Sequence, residues 1–324
     1  MNIGHKKPHV DLVIPGLMNL PMYELDMDAL KQATPSLHRL LRFAERQHVE
    51  VTDFDNTLIN ILGLNQSALP FAKACKDDQY KHCLLFKPVH LKADINNAIV
   101  FPVESEQDDS DIIINDLSDF FKEDCKVEKL ADNLWIMQLS TCAPVKELPH
   151  YLSAVGKKVT HYIEQTKTNL DWFKLFNEMQ MFMYQHPLNQ RRMQNGQLSI
   201  NSLWCWGADD YAGEFIDSMS WFSDDIEIRQ LGNLFTQNTY ELSALNNADI
   251  KGNVVIVELS LLKALKSGQD SDLLSALTHL EKQCFEPVMT MPLSSLKVTA
   301  ASTTDFFYRP HFAFKFWKRE CWQD

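Results

Sequence analysis

His186-Pro187-Leu188-Asn189-Gln190-Arg191-Arg192, then Gly196, then Asn201-Ser202-Leu203-Trp204-Cys205-Trp206-Gly207 is the stretch on which the reading of this chain turns. In physical terms it is a helix end, a polar turn, and a strand halted by glycine. Tryptophans two residues apart on a strand project to the same face. His186, Asn189, Arg191, Arg192 and Asn201 crowd one connection, and with Trp204 and Trp206 they form a candidate ligand-binding group. An arginine presents a planar fork of donors suited to carboxylate or phosphate, so such a group would take a small anion. The same side chains would serve to cap the helix and tie down a buried loop. Both readings stay open from the residues alone.

Working outward, residues 171–185 predict a long helix. It carries Trp172, Phe173, Phe176, Met179, Phe182 and Met183, with Met181 less firmly inward, a surface too apolar for a lone exposed helix. Further upstream, 83–86 and 98–103 read as strands and 112–121 as a short helix. The acidic run 104–111, with Asp108-Asp109-Ser110-Asp111, reads as a solvated loop. Val127–Leu130 and Leu134–Leu139 predict a hairpin turned by Asp132-Asn133. At the start, Val10–Ile14 reads as a strand stopped by Pro15-Gly16. Thr34 is expected to cap a helix begun by Pro35, whose Leu37, Leu40, Leu41 and Ala44 recur on one face.

Downstream, 203–206 reads as a strand, 254–259 as a buried strand and 272–285 as a helix, and 296–300 and 312–316 as closing strands. Strands alternating with helices, one run almost continuously apolar, predict the α/β class: a mainly parallel sheet flanked by helices. The hairpin-rich middle predicts a smaller inserted α+β domain at 83–194, within a core made of 1–82 and 195–324.

The 324 residues are 45% hydrophobic and 23% charged, the composition of a folded globular chain. A net charge of −12 argues against a nucleic-acid partner. One local exception is Phe314-Lys315-Phe316-Trp317-Lys318-Arg319, whose alternation suits an edge strand or a binding strip. The seven scattered cysteines include no CxxC pair and suit reduced thiols in a cytoplasm. No apolar run after Met1 suggests a signal peptide, and none is long enough to span a membrane, so a cytoplasmic protein is expected. No HExxH, GxSxG or P-loop string is present.

The opening stretch is similar to the HPxNxxR…G…NxLWxWG pattern of archaeal-type cofactor-independent phosphoglycerate mutases, members of the alkaline-phosphatase superfamily. Lys87-Pro88-Val89-His90-Leu91-Lys92-Ala93-Asp94, with Leu134-Trp135, resembles the RpfE-type regulatory proteins, and Thr34-Pro35-Ser36-Leu37 and Leu62-Gly63-Leu64 also fit. The resemblance is strong from about 85 to 207 and implies an alkaline-phosphatase-like fold. It also implies a two-metal phosphoryl-transfer site with a serine or threonine nucleophile.

The chain departs from that site. Where the family's first strand ends in Asp-Gly, this one has Pro15-Gly16, and the Ser-Asp of the nucleophile resembles Phe54-Asp55. The Asp-Glu-x-Gly-His place resembles Lys263-Ala264-Leu265-Lys266-Ser267, and the late Gly-Asp-His falls at Ala300-Ala301-Ser302. The expectation is a non-catalytic relative without metal or cofactor, in a regulatory or binding role, whose partner is a small anionic ligand or a protein. An active phosphoryl-transfer enzyme is the alternative. Val51-Thr52-Asp53-Phe54-Asp55-Asn56-Thr57-Leu58 resembles the DxDxT string of aspartate-nucleophile phosphatases, which makes Asp53 and Asp55 alternative catalytic residues. Asp209 and Asp210 would then supply an acidic pair. Against this, Asp55 or Asn56 would simply cap a helix beginning at Thr57.

Overall fold

The computed structural model describes residues 7–21, 26–65, 68–76, 81–93, 97–103, 107–140, 145, 147–207, 214–267 and 270–311. The chain divides into two compact units, Met1–Leu62 with Gly213–Asp324, and Gly63–Ala212. It begins the first unit with strands β1 (His9–Val13) and β2 (Glu45–His48). The second unit holds β3 (Cys83–Ala93), β4 (Ala98–Pro102), β5 (Cys125–Ala131), β6 (Leu134–Leu139) and β7 (Ser202–Trp206). On returning to the first unit the chain forms β8 (Met219–Phe222), β9 (Thr239–Tyr240), β10 (Asn253–Val257), β11 (Ser295–Thr299) and β12 (Thr304–Tyr308).

The seven-stranded sheet of the first unit has the order β2-β12-β11-β1-β10-β8-β9. Strands β11, β1, β10, β8 and β9 are mutually parallel, and β12 runs antiparallel between β11 and β2. The sheet is therefore mainly parallel within a mixed α/β fold. Central β1 shows why one face is core: Val10, Leu12 and Ile14 alternate inward and are fully buried. They join a cluster with Leu37 and Leu40 of the helix Pro35–Phe43 and with Leu277 and Leu280 of the helix Asp270–Leu280. Each such side chain contributes roughly 1.5–3 kcal/mol of burial.

Two details of this core differ from expectation. Thr34 does not cap through its side chain; its hydroxyl donates back to the Leu30 carbonyl at 2.8 Å. The cap comes from far along the chain, where the Glu281 carboxylate accepts the amides of Ser36 and Leu37 at 2.6 and 3.1 Å. Glu281 begins a π-helical turn, Glu281–Phe285, where one continuous helix over 272–285 is expected. That turn re-aims side chains at the helix end. The closing strand is β12; the expected strand at 312–316 and the tail 314–319 lie outside the described residues.

The second unit is an antiparallel sheet in which β3 pairs with β4, β6 and β7, and β6 with β5. Strand β7, expected with the larger sheet, is thus a strand of this one. The predicted hairpin is present, with Asn133 at φ 55°, a left-handed position that asparagine tolerates. The long helix is Leu170–Gln185, capped by the Asn169 side chain, which accepts the Trp172 amide at 3.2 Å. Its buried stripe is Trp172, Leu175, Met179 and Met183, at spacings of three and four. Met181 faces solvent, 62% exposed, because it sits half a turn off that stripe. Of the run 104–111 read as an acidic loop, the described residues 107–111 are corrected to a helix, Gln107–Phe120, which buries Asp109, Ser110, Ile113, Ile114 and Leu117; residues 104–106 lie outside the described residues. No helix among the described residues is long and apolar enough to cross a membrane.

Candidate functional site

The stretch 186–207 folds as a helix, Pro187–Gln194, followed by β7; His186, Asn189, Arg191, Arg192, Asn201 and Trp204 each meet a protein partner, while the indole nitrogen of Trp206 is buried without one. His186 caps this helix: its Nδ1 accepts the Leu188 amide at 3.3 Å. The ring proton then belongs on Nε2, which donates to the Asp116 carboxylate at 3.0 Å. Asn189, 1% exposed, acts as a clasp. Its amide nitrogen donates to the carbonyls of Met183 and Ile200 at 2.6 and 2.8 Å, and its oxygen accepts the Ile200 amide at 2.8 Å. Asn201 does the same across to β3, exchanging two hydrogen bonds with the Leu91 backbone.

The two arginines share one carboxylate. Arg191 and Arg192 donate to the two oxygens of Asp109 at 2.5 and 2.7 Å, and Arg192 Nε donates to the Leu198 carbonyl at 2.8 Å. Arg192 is wholly buried, whereas Arg191 is mostly exposed. The anion that this fork holds is thus a residue of the same chain. Trp204 donates to the Pro149 carbonyl at 2.9 Å, and the buried Trp206 ring lies 5.3 Å from the His150 ring. Asp109 and Asp116 are the partners that the sequence reading missed. Their signal was a helical period in which 109, 110, 113, 114 and 117 share a face.

A second constellation lies at the carboxyl ends of the parallel strands in the first unit, where ligands of open α/β sheets gather. The four stretches that depart from the phosphoryl-transfer pattern adjoin there. The Gly16 amide donates to the Ala300 carbonyl at 3.2 Å, and the Thr52 amide to the Ser302 carbonyl at 3.3 Å. The helix Ser260–Ser267 packs directly on Gly16: a Cβ there would meet Leu265 Cδ1 at 2.7 Å and Leu262 Cδ1 at 3.6 Å. Gly16 has φ 90°, so the turn after β1 requires glycine, and Ala301 holds a left-handed φ of 50° after β11. Lys263 of that helix is ion-paired with Asp225.

Glu258, just past β10, is the buried acid of this edge. Both its oxygens accept the Ser260 amide at 3.0 Å, and one accepts the Ser260 hydroxyl at 2.9 Å. Burial pushes its carboxyl above the usual range, and the Asp225 charge adds to this, while the Ser260 hydrogen bonds and His279 oppose it. Among the described residues, no group of three His, Cys, Asp or Glu side chains is arranged to hold a metal ion.

Asp53 and Asp55 sit at the start of the helix Phe54–Leu62. Asp53 is the cap, in place of the expected Asp55 or Asn56: its carboxylate accepts the Asn56 amide at 2.8 Å, and its carbonyl accepts the Thr57 hydroxyl at 2.8 Å. The strand before it, β2, is a fully exposed antiparallel edge. Asp209 and Asp210 lie outside the described residues.

No known protein family matches this chain, and no curated protein does. Among solved structures, the PH0037 protein from Pyrococcus horikoshii aligns at a TM-score of 0.53 and 13% identity, over 96% of this chain and 92% of its own. A cofactor-independent phosphoglycerate mutase from Thermoplasma acidophilum DSM 1728 aligns at a TM-score of 0.43 and 14% identity, over 94% of this chain and 90% of its own. The first likeness is one of α/β fold alone.

Proposed function

We propose that this chain is a non-catalytic relative of the cofactor-independent phosphoglycerate mutases, of the RpfE-type regulatory branch, that acts by binding rather than by phosphoryl transfer. In this reading the first unit is an alkaline-phosphatase-like core and the second an inserted α+β domain. The observation that carries it is the edge at Gly16, Ala300–Ser302 and the helix Ser260–Ser267. There Leu262 and Leu265 pack against the turn after β1, and Lys263 stands where the family pattern carries acids. A two-metal site needs carboxylates and imidazoles at those strand ends to hold the cations and activate the nucleophile.

The aspartate-nucleophile alternative has less support. A nucleophilic Asp53 would need its carboxylate turned toward phosphorus, and one of its two oxygens is committed to capping the helix Phe54–Leu62. The test is direct. Purified protein supplied with 3-phosphoglycerate and Mn²⁺ is expected to form no 2-phosphoglycerate, and to release no phosphate from p-nitrophenyl phosphate with Mg²⁺. Metal-dependent mutase turnover would overturn the proposal. Phosphatase turnover abolished by Asp53→Asn would replace it with the alternative.

A further inference from the structure

The helix Leu170–Gln185 has a second face that its buried stripe does not use. Glu178, Met181, Phe182 and Gln185 recur on it at i, i+3, i+4 and i+7. With Phe120, Phe121, His186 and Pro187 they line an open groove of about 490 Å³ within the second unit. The opposite wall comes from the end of the helix Gln107–Phe120, where two phenylalanines follow one another. Phe121 goes into the core, and Phe120 is left 69% exposed. Met181 across the groove is nearly as exposed, and Tyr184, almost one turn on, is 77% exposed. Apolar side chains exposed singly are ordinary, but large ones gathered around one concavity mark a contact surface.

The rings of this groove form a continuous wall. Phe120 lies 4.9 Å from Phe121 and 5.1 Å from Phe182 between ring centroids, and Phe182 lies 5.8 Å from His186. Rings this close pack on one another and leave no cage for a lone cation, so the wall receives apolar side chains. His186 adds only its ring, because Nδ1 is spent on Leu188 and Nε2 on Asp116. The polar groups left for a partner are Glu178 and Gln185, both exposed and neither engaged by another described residue. They stand two turns apart, about 10 Å along the helix, with Met181 and Phe182 between them.

Charge decides between occupants. The lining holds one carboxylate, Glu178, and no lysine or arginine, and the half-exposed Asp116 stands behind His186. The nearby cations are directed elsewhere: Lys122 lines a separate cavity with Asp119 and Glu128, and Arg191 is tied to Asp109. A second copy of the chain would set these acids against themselves, in a protein of net charge −12. An acid, two apolar side chains and an amide in that order suit a helix carrying a base, then apolar anchors a turn later, then a polar group.

We infer that this groove docks a basic amphipathic helix of a partner protein. That helix lies along Leu170–Gln185, with its apolar residues against Phe120, Met181 and Phe182 and a lysine or arginine on Glu178. An exposed methionine beside aromatic rings supplies the adaptable surface such docking uses. The inference does not rest on the proposed loss of phosphoryl transfer, which concerns the first unit.

The probe is a fluorescein-labelled, alanine-based peptide of about 15 residues, with lysine, leucine, leucine and glutamine at i, i+3, i+4 and i+7. Anisotropy titrations use the full chain and two control peptides, one with its leucines moved to the opposite face and one with glutamate for lysine. Saturable binding of the probe is expected, with each control at least ~10-fold weaker. Phe120→Ala and Met181→Ala, both at exposed positions, should each weaken the probe, Phe120→Ala by at least ~10-fold. Glu178→Lys should reverse the charge preference, so that the glutamate peptide binds the more tightly; a merely structural role would produce no reversal. No saturable binding, equal binding of the displaced-leucine peptide, full affinity in both alanine variants, or no reversal in Glu178→Lys would each overturn the inference. Sedimentation showing a dimer that Met181→Ala dissolves would overturn it in favour of a second copy. Turnover is not read in this experiment, so its failure is distinguishable from failure of the proposed function.

Discussion

Two buried aspartates, one in each unit, were placed under similar constraints and resolved differently. Asp109 in the second unit has both oxygens held by arginine forks, with Arg192 sealed beside it. Asp305 in the first unit has one oxygen on Lys297 and one on nothing. The first is a closed structural tie in which every charged atom is answered. The second leaves one buried oxygen unanswered. A fully satisfied buried network makes one geometry unique, whereas a half-satisfied one destabilises unless something else completes it.

The contrast can be broken by substitution. Asp109→Ala leaves the buried Arg192 guanidinium without its carboxylate and should cost about 3–5 kcal/mol of unfolding free energy in urea titrations. A cost under 1 kcal/mol would mean that the tie is not what orders the 186–207 connection. Next in size, Glu281→Ala removes the remote cap of the helix Pro35–Phe43 and should cost about 1–2 kcal/mol by the same measurement. Asp305→Ala should cost less than about 1 kcal/mol, since Lys297 is partly exposed and can rehydrate. If it instead matched Asp109→Ala, the two aspartates would be the same kind of structural pair and the comparison would collapse.

The smallest effect concerns pH. Glu258 has its carboxyl raised by burial, so the fold favours its protonated form. Its stabilising contribution is present below the ordinary glutamate range and is lost as pH rises through the raised value. Thermal melts of Glu258→Gln against the parent from roughly pH 4 to pH 8 should therefore show the variant gaining relative stability as pH rises. A difference independent of pH would remove Glu258 from the titrating groups.

Much of the architecture was legible in local pattern. The inward alternation of Val10, Leu12 and Ile14, the run Val254–Val257, and the Asp132-Asn133 turn each follow from side-chain period or turn chemistry. The acidic run was misread because its charge density outweighed a helical period that continues to Asp109. Strand β12 was missed because it lies in a short stretch, Thr304–Tyr308, whose pairing with both β11 and β2 is entirely non-local. The candidate site was legible as a list of residues and illegible as chemistry.

By itself, the sequence determined the α/β class, the mainly parallel sheet, and the concentration of polar groups at 186–207, because periodicity and residue type are local properties. Only the tertiary structure decided which acid meets which base. Asp109 reaches the arginines from 82 and 83 residues away, Glu281 caps a helix start 245 residues upstream, and Asp305 keeps one oxygen unmet. Hydrogen bonds and ion pairs act over a few ångströms in space and carry no trace in sequence spacing. The same fork of arginines would bind an external anion or an internal carboxylate with identical local chemistry, and the fold supplied the carboxylate.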